Sequence, residues 1–184
     1  MKKASGIMLA IMVVAAILIG ILITAKYSTA DLSTQEIKIG AGGFSIETPV
    51  VLKELPVQAI DASSFKVDVH LFKGENGNKS YFVSYYDLPP DYVGKVGTDE
   101  IFNQRLKGMM GSLRGKLLNE KIISFDGNSG REIEVSADTQ DGVYLLISHL
   151  FLVGNRIYHI MITSPKNVAE SSDIKCLNSF KLLK

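Results

Sequence analysis

The chain has 184 residues, with 20 lysines and arginines against 19 aspartates and glutamates and a net charge of +1. That allows one domain of ordinary size with an appendage, and it excludes nucleic acid as a partner, because phosphate contacts need a basic surface. Cys176 is the single cysteine, so an intrachain disulfide is impossible and the core must supply stability by itself.

The appendage comes first. Met1-Lys2-Lys3 precedes Ile7–Ala25, an uncharged apolar run closed by Lys26. As a helix this run is about 28 Å long, close to the ~30 Å hydrocarbon core of a bilayer. A signal peptide usually has an apolar region of only about 7–15 residues, so an uncleaved anchor is expected; Ser28-Thr29-Ala30 keeps cleavage near Ala30 as the alternative. Lys2, Lys3 and the amino terminus outweigh Lys26, which leaves the N-terminus in the cytoplasm and the rest of the chain outside. No cysteine follows the run to carry a lipid, and the glutamate of a type IV prepilin leader is missing. Ala16, Gly20 and Thr24 repeat at four-residue spacing, as in membrane helices that pair closely, although such spacing is common in ordinary anchors. The expected organisation is an N-terminal transmembrane anchor with a short juxtamembrane segment over 1–30, a linker over 31–35 and a folded domain over 36–184. Without Lys2, Lys3 and Lys26 the exported part keeps 17 basic against 19 acidic residues.

Within the domain, Glu36–Ile39 and Phe44–Glu47 read as short strands around the turn Gly40-Ala41-Gly42-Gly43, which lacks the lysine and following helix of a phosphate cradle. Ser64–Lys73 and Lys79–Asp87 alternate, and Asn76-Gly77 between them predicts a hairpin that places Lys66 opposite Asp87 and Asp68 opposite Tyr85. In that hairpin Phe65, Val67, Val69 and Leu71 share a face with Leu88, Tyr86, Ser84 and Phe82. Leu88–Gly94 is a rigid connector. Tyr85, Tyr86, Pro89, Pro90 and Tyr92 in and before it are the candidate partner-binding residues, since tyrosine and stiff proline offer contact area at low entropic cost; the alternative is a plain connector packed on the sheet.

Thr98-Asp99-Glu100 starts a helix with a cap and acids in its first turn, and Phe102, Leu106, Met109, Leu113 and Leu117 form its apolar stripe. Gly108, Gly111 and Gly115 either allow close packing on a sheet or shorten this helix. Strands return over Leu118–Phe125 and Gly130–Ala137, with a turn at Asp126–Ser129 and a polar turn at Asp138–Asp141. Gly142–Pro165 is the central hairpin. Its two apolar runs flank Gly154-Asn155, and that register sets His149 against Ile160 and His159 against Leu150, on opposite faces of the sheet. Ser164-Pro165 has the form of a helix start, and Ser171-Ser172-Asp173 offers a second one; Ala169, Cys176, Leu177 and Phe180 would be the buried side.

Chemistry finds little to stand on. Opposite-facing His149 and His159 cannot share a metal, and His70 lies on another hairpin near Tyr85 and Asp68, so no metal or cofactor site is expected. Glu132 and Glu134 share a strand face without an apolar pocket to raise either pKa, and Gly127-Asn128-Ser129-Gly130 lacks the strand-to-helix setting of a nucleophile elbow. Cys176 reads as a small core residue.

FSIETP, GREIEV, the hairpin GVYLLISHLFLVGNRIYHIMITSP and the ending LNSFKLL, in this order, resemble the PsbP-like family, which includes bacterial DcrB-like lipoproteins and small exported proteins of unknown role. The resemblance spans about Glu36 to Leu183 and rests on Gly130-Arg131-Glu132, Gly154-Asn155-Arg156-Ile157-Tyr158 and Ser179-Phe180-Lys181. It implies an α+β fold, an antiparallel β-sheet flanked by helices as an α/β/α sandwich, here behind one N-terminal transmembrane helix. It also implies a non-enzymatic accessory or scaffold domain that binds another membrane or envelope protein, with no catalytic residues to carry over. Anchoring would come from residues 7–25 in the bilayer, with a homodimer through that helix as a further option. The alternative is a secreted or periplasmic domain that binds a small ligand or ion between sheet and helix.

Overall fold

The computed structural model describes residues 34–62, 65–139, 142–165 and 171–183. The expected anchor with Ala16, Gly20 and Thr24, the start of the linker, part of the Asp138–Asp141 turn, and Ala169 lie outside the described residues. Among the described residues no helix is long and apolar enough to cross a membrane.

The elements in order are β1 (Gln35–Ile39), β2 (Phe44–Thr48), β3 (Lys53–Glu54), β4 (Gln58–Ala62), β5 (Phe65–Asn76), β6 (Lys79–Asp87), α1 (Pro90–Val96), α2 (Thr98–Leu113), β7 (Lys116–Phe125), β8 (Asn128–Thr139), β9 (Gly142–Val153), β10 (Arg156–Pro165), α3 (Ser171–Asn178) and β11 (Lys181–Leu182). The large sheet runs β3-β5-β6-β10-β9-β8-β7, with β4 also on β5, and its ladders are antiparallel. β1, β2 and β11 form a separate three-stranded sheet.

The β9–β10 hairpin sits at the middle of the large sheet. β10 is buried from Ile157 to Ser164. A strand covered on both faces needs no polar alternation, which is why its sequence reads as a continuous apolar run. The Gly154-Asn155 turn and the pairs His149↔Ile160 and His159↔Leu150 are as the sequence predicts.

One face of the sheet packs against α1 and α2. Val67, Val69, Tyr86, Leu88, Leu150, Leu152 and Ile157 meet Ile101 and Phe102 there, and Leu71, Phe82, Ile133, Val135, Leu146 and Met161 gather around Met109. The other face is covered by α3 together with β2 and β11, through Phe44, Ile46, Cys176, Leu177 and Phe180 packed on Tyr81, Val83, Tyr85, Phe151, Tyr158 and Ile160. The flanking layer on this side is therefore a small sheet plus a helix, where helices alone were expected. Phe44, Phe151, Tyr158 and Phe180 pack in edge, tilted and stacked pairs with centroids 5.1–5.6 Å apart. Gly130 serves this cluster, because a Cβ there would lie 2.5 Å from the Phe151 ring.

Several local expectations change. The first large hairpin turns at Gly77-Asn78 and pairs Asn76 with Lys79. Gly77 takes the positive φ of 59° that the first position of a II′-type turn requires, matching Gly154 at 62° in the central hairpin. The shift by two residues keeps every face and replaces every partner: His70 now faces Tyr85, Lys66 pairs with Asp61, and Asp87 pairs with Arg156. Asp126 and Gly127, both at positive φ, make the two-residue turn between β7 and β8.

The connector is itself the helix α1. Gly97, not Thr98, caps α2, without a side-chain hydrogen bond. α2 stops at Leu113 because Arg114 is left-handed at φ 48°, so Leu117 belongs to β7. Of the three glycines, Gly108 is buried within α2, Gly111 has open space, and Gly115 lies past the helix where a Cβ would sit 2.6 Å from Val135. Ser164-Pro165 does not start a helix; both residues are strand, paired with Leu145 and Tyr144, and α3 begins at Ser171.

α3 is fixed to the sheet by a buried ion pair. Asp173, in the first turn of α3, accepts from Lys79 Nζ at 2.9 Å and from Tyr81 Oη at 3.0 Å. The Lys79 and Asp173 side chains are 6% and 2% exposed. At the other end of the helix, the Ser179 hydroxyl accepts from the Glu47 N–H at 2.8 Å and donates to the Cys176 carbonyl at 2.7 Å. Removing one member of a buried pair strands the other charge at a cost of roughly 3–5 kcal/mol. Asp173→Ala should therefore lower stability by about that much in urea unfolding, and Lys79→Met with Asp173→Ala should cost less than the two single substitutions together.

Candidate functional site

The three histidines fall in three separate environments. His70, half-buried at the β5 edge, stacks on Tyr85 at 4.6 Å and meets Glu54 Oε1 at 2.9 Å. His149 lies under α3, its Nε2 3.2 Å from Glu132 Oε2, and Glu132 accepts from Lys121 at 2.8 Å. Burial pulls the His149 pKa down against the opposing pull of Glu132, while Lys121 and His149 hold Glu132 below the usual carboxylate range. Glu132 is thus tied into a cross-strand network, and Glu134 sits beside it on the strand without joining it. His159 lies on the opposite face beneath α2, with Arg105 Nη2 3.4 Å from its Nδ1. Full burial and the neighbouring guanidinium lower its pKa to about 3. Cys176 is buried, and burial with Asp173 nearby pushes its thiol up to about 12. Among the described residues no three His, Cys, Asp or Glu side chains are grouped as a metal site.

The tyrosine-proline segment divides. Tyr85 and Tyr86 are adjacent on β6 and point into opposite cores, so both are buried and they share no surface. Tyr92 packs on Phe65 at 5.0 Å and donates to Gln104 at 2.8 Å; Pro89 is half-buried and Pro90 is exposed. The segment is held to the central turn by two bonds: Leu88 N–H to the Asn155 carbonyl at 2.8 Å, and Asn155 Nδ2 to the Leu88 carbonyl at 2.6 Å. Beside it, Arg156 grips Asp87 through Nε at 2.6 Å and Nη2 at 2.7 Å, lies over the Tyr85 ring at 5.1 Å, and donates to the Gly42 carbonyl at 3.1 Å. Tyr158 Oη donates to the same carbonyl at 2.8 Å. This ladder locks the β1–β2 turn onto the sheet and consumes the donors of Arg156. The bidentate grip lowers the Asp87 pKa and raises that of Arg156.

A surface the sequence reading passed over is the outer edge of β7. It pairs with β8 on one side and, among the described residues, with nothing on the other. Ile122 is 80% exposed, Leu118 48% and Leu117 37%. Leu118 is the extra residue of a bulge between Leu117 and Asn119, a common device for protecting a free edge. The charges of β7 pair across to β8, Glu120 with Arg131 at 3.4 Å and Lys121 with Glu132 at 2.8 Å, so the exposed surface of the strand mixes these groups with apolar side chains. The signal was present in KLLNEKIISF, where Leu118 and Ile122 break the alternation of a strand wet on one side.

No family model and no curated protein match the chain. Among solved structures it is similar to the solution structure of cyanobacterial PsbP (CyanoP) from Synechocystis sp. PCC 6803, with a TM-score of 0.60 and 15% identity over 87% of this chain and 98% of that one. A crystal structure from Bacteroides thetaiotaomicron VPI-5482 gives a TM-score of 0.47 at 12% identity, over 77% of this chain and 46% of that one. A protein of unknown function from Pseudomonas aeruginosa gives 0.41 at 10%, over 72% and 83%. The first likeness establishes a PsbP-like fold and concerns the fold alone.

The depressed histidines predict a pH response. A histidine whose folded pKa lies below its unfolded value of ~6.5 stabilises the fold fully above pH 6.5, and that stability is lost as pH falls toward the folded pKa. For fully buried His159 the loss reaches about 2 kcal/mol between pH 6.5 and 5. Urea midpoints should fall over this window in the wild type and less steeply in His159→Gln.

Proposed function

We propose that the protein is a membrane-anchored, extracytoplasmic, non-enzymatic accessory or scaffold domain that binds another membrane or envelope protein. The observation that carries this reading is the β7 edge. A free strand with exposed apolar side chains accepts an extended segment of a partner as one further strand: main-chain hydrogen bonds supply affinity, and Leu118 and Ile122 supply the side-chain contacts.

The anchor over residues 7–25 would hold this edge close to a membrane partner, as the lipid does for the DcrB-like lipoproteins the sequence resembles, and Ala16, Gly20 and Thr24 would let two copies pair in the bilayer. Such a domain needs rigidity more than reactivity. That agrees with the use of Asp87, Glu132, Arg156 and His149 as cross-strand and interlayer ties.

Two measurements test the reading. In membranes from cells producing the full chain, the protein should begin at Met1 and stay in the pellet after a carbonate wash; a soluble form starting near Asp31 would overturn the anchored version. After mild detergent extraction, a protein should co-purify with the wild type and be lost with Ile122→Lys. That exposed substitution should change stability by no more than about 0.5 kcal/mol. A partner retained equally by the variant would remove β7 as the docking edge.

A further inference from the structure

Arg105 is buried, 5% exposed, at the centre of α2, and among the described residues it faces no carboxylate. Its guanidinium stacks over Tyr86 at 5.6 Å, with Nη2 against His159 Nδ1. Its buried neighbours one turn away on α2 are Ile101, Phe102, Gly108 and Met109, all uncharged. The strand residues around His159 are Ser84 on β6 and Leu150 on β9, with Ser148 at the diagonal position, and these are neutral as well. An isolated buried cation is among the costliest arrangements a fold can hold, and it persists when something nearby supplies the opposite charge.

Other buried polar atoms on this face of the sheet are also without partners among the described residues. Arg105 Nη1, His159 Nε2 and Ser148 Oγ are buried without a hydrogen-bond partner. Because Nδ1 faces a guanidinium, it carries the lone pair and the ring hydrogen is assigned to Nε2. Arg105 Nη1 and His159 Nε2 therefore only donate, and a serine hydroxyl donates as readily as it accepts. His159 and Ser148 stand at diagonal cross-strand positions, roughly 7–8 Å apart, a separation that one bridging ion spans and a direct hydrogen bond does not. This polar row also separates the two apolar clusters beneath α2. The fourth unpartnered atom, Thr163 Oγ1, lies beyond Met161 and does not belong to the group.

We propose that the interface between α2 and the sheet is a binding site for a small monovalent inorganic anion of the halide or nitrate class, held by Arg105 Nη1, His159 Nε2 and Ser148 Oγ. Water satisfies the donors and leaves the charge uncompensated; a monovalent anion does both. The site pins the middle of α2 to β9 and β10, where apolar packing is interrupted. It is independent of the β7 edge.

The test is thermal unfolding of the full chain in detergent, in sodium chloride, bromide or nitrate against sodium gluconate at equal ionic strength and pH. The wild-type midpoint should rise by about 3–8 °C and saturate with halide. Arg105→Met should lose that response, and Ser148→Ala should need roughly tenfold more halide for the same rise. Equal unfolding in halide and gluconate overturns the proposal, as does a response that Arg105→Met retains. If Arg105→Met does not fold, Ser148→Ala decides: a shifted halide dependence supports the site, and an unchanged one overturns it.

Discussion

A central strand with no wet face, β10, sets the terms for the rest of this molecule. β9 and β10 lie in the middle of the large sheet, and β10 is buried over eight consecutive residues. Both of its faces must therefore be covered, and each is covered by different means. α1 and α2 close one side, where Ile101, Phe102 and Met109 supply the apolar surface. On the other side the covering elements are short, and α3 with β2 and β11 must be assembled from the two ends of the folded domain. At roughly 25 cal/mol per Å² of apolar area, so many buried aromatics dominate the favourable terms, and the layers follow from the need to bury them.

Short covering elements have little apolar area of their own, and polar ties determine where they sit. Lys79, Tyr81 and Asp173 place the start of α3, and Ser179 its end. Arg156 and Tyr158 fix the β1–β2 turn through the Gly42 carbonyl. A buried pair of this kind adds less stability than an apolar pair of the same shape would, and what it contributes is a single position for the helix. Arg105 is the counterpart on the α2 side, placed against His159 and over the Tyr86 ring. The histidines belong to the same economy: His149 and His159 are kept neutral by burial and act as hydrogen-bonding spacers between layers.

Interior ties of this sort engage Asp87, Glu132, Arg156 and His149 within and between the layers. The conspicuous edge is β7, where Glu120 and Lys121 pair across to β8 and Ile122 stands out into solvent. The partner docking proposed above uses that edge. The PsbP-like fold is compatible with that use without specifying it, since function resides in sites carried by a fold.

Local patterning in the sequence was enough to identify the central hairpin, its register at Gly154-Asn155, the opposite orientation of His149 and His159, the amphipathic α2 and the burial of Cys176. These depend on side-chain period and turn chemistry within a few residues, and such signals survive in one dimension. It also established which faces β5 and β6 share, because a slip by two residues preserves parity. The slip itself, from Asn76-Gly77 to Gly77-Asn78, removed the expected Lys66–Asp87 pair, and Asp87 instead meets Arg156 on β10, the strand on the other edge of β6. Long-range pairing of this kind was decided by the tertiary structure alone. So were the union of β11 with β2, the burial of Asp173 against Lys79 some ninety residues away, and the separation of Tyr85 from Tyr86 into opposite cores. Each requires residues distant in the chain to meet at a particular distance and depth, and no periodicity in the sequence records depth.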